Sequence, residues 1–132
     1  MREAHAVRQL ARRSLDLGGG RVDVSTIAAA FGVAGLALRG ASEAAVELMT
    51  KAWAAEYGPR GVRVNAVRAG AVRTEGTSGM GEYLDVLAAQ APAGRPAEPE
   101  EIPEAIAYTA SDAASFVQGV LLPVHGSRTA VC

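Results

Sequence analysis

Cysteine and lysine are almost missing from this sequence. Of its 132 residues, one is a cysteine, Cys132, and one is a lysine, Lys51. A single thiol excludes a disulfide within the chain and any zinc cluster built from cysteines, and it fits a reducing cytoplasm. The 13 basic residues are therefore 12 arginines and Lys51, a skew we read as the codon bias of a GC-rich, bacterial genome. The arginines are scattered, they form no basic run, and the formal net charge is −1, so no electrostatic case exists for binding nucleic acid. Long apolar segments are missing too. The longest, IAAAFGVAGLAL at residues 27–38, falls short of the roughly 20 residues that span a bilayer. The opening MREAHAVRQLARR lacks the apolar core of a signal peptide. The expectation is a soluble, cytoplasmic protein with no membrane or nucleic-acid partner. The two histidines, His5 and His125, stand too far apart for a metal-binding spacing, so no metal is expected.

What is present points to a packed α/β domain. The chain is 49% hydrophobic and 20% charged, and its length suits one domain, residues 1–132. Residues 2–17 read as a helix, with Ala6, Leu10 and Leu15 on a helical period. Gly18, Gly19 and Gly20 end it. They read as a turn and not as a phosphate loop, because the order here is helix, glycines, strand. RVDVS (21–25) reads as a strand, 26–39 as a loop, and 41–57 as the strongest helix. GPRG (58–61) closes that helix, and VRVNAV (62–67) is a second strand. An irregular stretch over 69–81 precedes a short helix at 82–90 and a Pro-rich connection. A helix at 102–110, with Pro103 in its first turn, and a third strand at 119–124 complete the pattern. Strands alternating with helices imply right-handed crossovers and a parallel sheet, here of only about three strands.

Three stretches carry a family resemblance: GGGRVDVST, GASEAAVELMTKAWAAEYGPRGVRVNAV and AEPEEIPEAIAYTASDAASFVQGVLLPVHG. Together they resemble the C-terminal half of the short-chain dehydrogenases/reductases, collinearly over nearly the whole chain. The resemblance implies a truncated, Rossmann-like half domain of three parallel strands with flanking helices. In that family a strand ends in a catalytic serine, a tyrosine follows thirteen positions later, and a lysine four after that. The Gly-rich dinucleotide loop and the Asn-Ala-Gly motif of the family's other half do not occur in these 132 residues.

Carried over by position, the resemblance puts Thr26 at the serine, with Ser25 as its neighbour. It puts Arg39 at the tyrosine and Glu43 at the lysine. The tyrosine is the family's general acid/base, and the lysine lowers its pKa and holds the nicotinamide ribose. Arginine stays protonated and cannot exchange a proton near neutrality, and Glu43 reverses the supporting charge. No other residue on the helix replaces them. Tyr57 lies about 27 Å beyond Arg39 along a helix, and Lys51 about 12 Å beyond Glu43. Tyr83, in the presumed lid, is the one tyrosine with a route to the site. Ala69 stands where the family usually has proline, while Gly70, Val72 and Thr74 still match; His125 stands where many members have aspartate.

Two classes of function follow, and a third is weaker. The chain is an oligomerising pseudoenzyme or partner subunit without NAD(P)-dependent redox activity of its own, with Arg39 and Glu43 as an ordinary ion pair worth about 0.3–0.5 kcal/mol. Alternatively it is a repurposed non-redox enzyme of cyclase, isomerase or dehydratase type. Arg39 would then clamp an oxygen of a small-molecule ligand, Glu43 would act as base, and Thr26 and Ser25 would donate hydrogen bonds. The weaker option is half of an oxidoreductase completed by another chain. No cofactor-binding residue is assigned. The resemblance implies a homodimer, or a complex with a full-length relative, through the helices at 2–17 and 41–57. His5 and His125 read as surface or interface residues, and Trp53 and Met49 as core or interface.

Overall fold

The computed structural model describes residues 19–131. The expected helix at 2–17, with His5, and also Gly18 and Cys132, lie outside the described residues.

β1 (Gly20–Thr26), β2 (Arg63–Ala69) and β3 (Leu121–Val124) form a parallel sheet in the order β1-β2-β3. β2 runs between the other two, in register from Gly20 opposite Arg63 to Thr26 opposite Ala69, and from Ala66 opposite Leu121 to Ala69 opposite Val124. Central position explains composition: Val64, Asn65, Ala66 and Val67 are all buried, so this strand is apolar almost continuously, as a strand covered on both faces must be.

Strand alternation sends side chains to two faces. Val64 joins Ala54, Tyr57 and Val62 beneath α1 (Ala37–Tyr57), with Trp53 packed at the margin. Val67 and Ala69 join Ile102 beneath α3 (Glu101–Ala110), with Val22, Leu122 and Val124 alongside. The third helix, α2 (Glu82–Ala88), buries Leu84 and Ala88. The crossover from β1 to β2 is α1 itself, and its buried stripe is Glu47, Thr50, Ala54 and Tyr57, at helical spacing.

α1 begins four residues earlier than the sequence pattern indicated, so Arg39 and Gly40 are helical and not loop. The Gly40 N–H bonds the Leu36 carbonyl at 2.8 Å. Glycine reads as a helix entry because it costs about 1 kcal/mol inside a helix. Here it is needed for closeness: a Cβ on Gly40 would sit 2.9 Å from the Ala28 carbonyl oxygen in the 3-10 turn Ile27–Ala29 after β1. That contact holds the start of α1 against the end of β1. The other boundaries differ by a residue or two, except that a 3-10 turn at Glu75–Met80 occupies part of what reads as irregular chain; another, Asp112–Ala114, falls within SDAASF, which reads as a turn or short helix.

Long-range polar bonds fasten these elements. Arg63 donates to the carbonyls of Thr109 (2.7 Å), Ala114 (3.1 Å), Ala110 (2.9 Å) and Ser111 (3.1 Å). It satisfies the carbonyl end of α3 with a positive charge, as a helix C-terminus requires. The Gln118 amide donates to Ala54 and Val62 carbonyls and accepts from the Val64 N–H, tying the end of α1 to β2. No helix among the described residues is long and apolar enough to cross a membrane.

Candidate active site

A parallel strand followed by its crossover helix places the helix start over the carboxyl ends of the strands, where this class of sheet binds ligands. Thr26 is the last residue of β1, and Arg39 and Glu43 lie in the first turns of α1. The structure therefore gathers the sequence-derived candidates at one end of the sheet. It does not join them. Ser25 and Thr26, being successive strand residues, point to opposite faces. Thr26 Oγ1 accepts from the Ala28 N–H at 3.2 Å and caps the 3-10 turn. Ser25 is fully buried and donates to Glu47 Oε1 at 2.7 Å.

Arg39 is exposed and Glu43 half-buried. The expected ion pair between them is not formed. Among the described residues neither side chain makes a salt bridge or a hydrogen bond, and Arg39 contributes only its carbonyl, to Ser42 Oγ at 2.9 Å. An exposed pair gains too little to outweigh the entropy of fixing two long side chains. Tyr83 is exposed on α2 and hydrogen-bonds none of these residues.

The charge partnership at this end of the sheet is one turn deeper, and sequence reasoning missed it. Glu47 takes two bonds from Arg68, Nε to Oε1 at 2.7 Å and Nη2 to Oε2 at 2.6 Å, besides the bond from Ser25. Arg68 stands opposite Ser25 across the β1–β2 pairing, on the face under α1. Burial by itself pushes the Glu47 carboxyl up. The hydrogen bonds from Arg68 and Ser25 and the Arg68 charge outweigh it, and the carboxyl lies below its usual range. The Arg68 guanidinium is held more firmly protonated by its bond to Glu47. A carboxylate so locked is a structural anchor and not a proton acceptor. One signal for it existed: position 47 lies on the sheet-facing stripe with Thr50, Ala54 and Tyr57.

A parallel cluster lies along the same face. Asp23 takes bonds from Arg21 Nε at 2.7 Å and Thr50 Oγ1 at 3.1 Å, and the Arg21 guanidinium stacks 4.4 Å from the Trp53 ring centre. Asp23 thus takes one bond from within its own strand and one from α1, 27 residues away. Met49, read as core or interface, is 37% exposed.

His125, read as a surface or interface residue, is buried at the end of β3. Its Nδ1 accepts from the Arg128 N–H at 3.2 Å, so Nε2 carries the proton and donates to Thr129 Oγ1 at 3.0 Å. Burial pushes its pKa down, and the Arg68 charge adds to this. The folded imidazole is then neutral, while the unfolded one takes a proton below about pH 6.5. Stability is expected to fall as pH drops from about 6.5 through the lower folded value, and His125→Gln is expected to flatten that slope. Urea melts at pH 7.5, 6.5 and 5.5 check this; equal slopes in both proteins would refute it. No group of three or more metal-ligating side chains lies among the described residues.

Comparison with known proteins gives these positions their context. The profile of a family described as enoyl-(acyl carrier protein) reductase matches residues 1–127. A cis-4-hydroxycyclohexanecarboxylate dehydrogenase of Sinomonas cyclohexanicum is 42% identical over 96% of this chain and 50% of its own length. A 3-oxoacyl-acyl-carrier-protein reductase of Thermotoga maritima is 37% identical over 82% of this chain and 44% of its own. Among solved structures, a short-chain dehydrogenase/reductase family protein superposes with a TM-score of 0.83 at 43% identity, covering 92% of this chain and 50% of that one. A 4-hydroxyisoleucine dehydrogenase complexed with NADH superposes at 0.87 and 26% identity, covering 97% and 55%. The chain spans about half the length of the relatives it matches. A three-stranded parallel sheet with this order of helices, matched by sequence from residue 1 to residue 127, belongs to the short-chain dehydrogenase/reductase superfamily.

Proposed function

We propose that this chain is a partner subunit of the superfamily that carries out no NAD(P)-dependent redox chemistry of its own and associates with a second copy or with a full-length relative. The observation that carries this reading is the state of Arg39 and Glu43. By the resemblance they stand at the positions of the family's acid/base pair, and neither reaches Thr26 or Ser25 through a hydrogen bond. A guanidinium cannot act as the general acid near neutrality. The residues present also do not fit the nicotinamide end of the family's cofactor: where a lysine would hold the ribose stands the half-buried carboxylate of Glu43. No step of a hydride transfer is derived through these groups.

Two surface features support association. Leu38 and Leu48 on α1 are 88% and 70% exposed, unusually bare for a helix that otherwise buries a stripe. The outer edge of β1 has no strand partner among the described residues, which leaves its peptide groups open to pairing. Light scattering coupled to size exclusion at micromolar concentration is expected to show a dimer. Calorimetric titration with NADH or NADPH is expected to show no saturable binding. A folded monomer would overturn the association, and micromolar cofactor binding would overturn the loss of redox chemistry.

The second reading, a repurposed non-redox enzyme acting on a small molecule, is favoured by one fact: Arg39 and Glu43 are unengaged by any described side chain and so are available to a ligand. It requires Arg39→Ala and Glu43→Gln each to abolish a conversion while the protein stays folded. The partner-subunit reading expects both variants to keep assembly and function.

A further inference from the structure

A cavity of about 330 Å³, whose lining includes none of Thr26, Arg39 and Glu43, lies between the end of β3 and the segment that links α2 to α3. Its walls are short and apolar: Leu87 and Ala88 of α2, Ala91 and Ala97 of the connection, and Ile27. Its other end is polar, formed by the turn after β3 with His125, Ser127 and Arg128. A volume of this size, with an apolar wall facing a group of polar side chains, falls in the range of small-molecule sites.

The turn is built tightly. Gly126 has φ +61°, and a Cβ there would lie 2.5 Å from the Ala93 Cβ; the Ala93 N–H bonds the Gly126 carbonyl at 3.1 Å. Ser127 follows at φ 67°, the only non-glycine residue with positive φ among those described. A serine held in the left-handed region marks a place where the surroundings override backbone preference.

Charge at the polar end is unbalanced. Arg95 is matched by Glu101, with two bonds of 2.8 Å. That pair, with the Glu98 N–H, holds the Glu101 carboxyl down at about 2, so it stays an anion already committed to Arg95. His125 is neutral with both ring nitrogens engaged. Arg128 has no carboxylate partner among the described residues. Its guanidinium is nonetheless held in place, stacked 4.5 Å from the Phe31 ring centre and bonded through Nη2 to the Gln90 side-chain carbonyl at 2.9 Å. An oriented guanidinium with unused N–H donors beside an apolar cavity matches a carboxylate with an apolar body, because little ordering is left for binding to impose. The Ser127 hydroxyl, which bonds no described residue, adds a second donor at the same end.

We propose that the cavity formed by α2, the α2–α3 connection and the turn after β3 binds a small organic monocarboxylate, its apolar body against Leu87, Ala88 and Ala91 and its carboxylate on Arg128 and Ser127. The test is an NMR titration of the full chain with sodium benzoate, and in parallel with benzamide, which has the same shape and no charge. Benzoate is expected to saturate with a Kd of about 1 mM, with shifts concentrated at 126–129 and 87–93. Benzamide is expected to bind at least about tenfold more weakly, as is benzoate to Arg128→Gln, since the charge-assisted bidentate bond is lost. The benzoate–benzamide comparison needs no variant, so it stands if Arg128→Gln does not fold. Shifts that rise without saturation, centre on Arg39, or are equal for the two probes would overturn the proposal. Unchanged affinity in a folded Arg128→Gln would do the same.

Discussion

Glu47→Ala is expected to cost about 3–5 kcal/mol, the largest effect of any single substitution considered. The reason is what is left behind. Glu47 is 7% exposed and is the only carboxylate on Arg68 among the described residues, while Ser25 loses its acceptor in a fully buried position. A half-buried guanidinium without its anion carries most of the penalty. On a domain whose total stability is about 5–15 kcal/mol, such a loss removes a large fraction of it. Urea denaturation at pH 7 measures it. The double variant Glu47→Leu/Arg68→Met removes both charges together and is expected to recover most of the loss, because desolvating a pair costs about what the pair returns. A single-variant cost under about 1 kcal/mol would show that water reaches the pair. The pH dependence has a definite sign. The folded pKa of Glu47 lies below the unfolded one, so its contribution is complete above about pH 4.5 and is lost as pH falls through the folded value.

Asn65→Ala is the second large effect, with an expected loss of about 3 kcal/mol. Asn65 is fully buried in β2. Its Nδ2 donates to the Val117 carbonyl at 2.9 Å, and its Oδ1 accepts from the Val120 N–H at 3.1 Å. These are the two backbone groups that would otherwise lack partners where the chain turns into β3. Each buried group left unsatisfied costs about 1–3 kcal/mol, and the missing side chain leaves a void as well. Asn65→Asp keeps the acceptor, and while the acid is protonated its O–H replaces the donor, so there it is expected to fall between wild type and Asn65→Ala; once ionised it loses the donor and faces the Val117 carbonyl with a negative charge. Hydrogen exchange at Val120 separates this account from a general loosening. Its protection is expected to collapse first in Asn65→Ala, and unchanged protection would contradict the role given to the side chain.

Both positions show how far sequence reading reaches. Asn65 sits in an RVN strand that was legible, and a local hydrogen-bonding role follows from its being polar in an apolar run. Its partners, Val117 and Val120, were not legible, because they lie 52 and 55 residues away. Glu47 reads on paper as one more acid on a mixed helix. It becomes buried only because Arg68, 21 residues on, faces it from the neighbouring strand. Arg39 and Glu43 present the reverse case. Their i,i+4 spacing suggests a bond, and the fold leaves them apart because an exposed pair has nothing to desolvate and little to gain.

By itself the sequence determined the order of strands and helices, the parallel sheet and the family. These depend on local periodicity and on residue identity, which a linear chain carries in full. Only the tertiary structure decided which charges are buried together, that His125 is interior and neutral, that Arg128 stands beside a cavity with no carboxylate partner among the described residues, and that Gly40 belongs inside a helix. Each of these depends on two segments meeting across the sheet or at a helix contact, and that meeting is set by the packing of the whole fold.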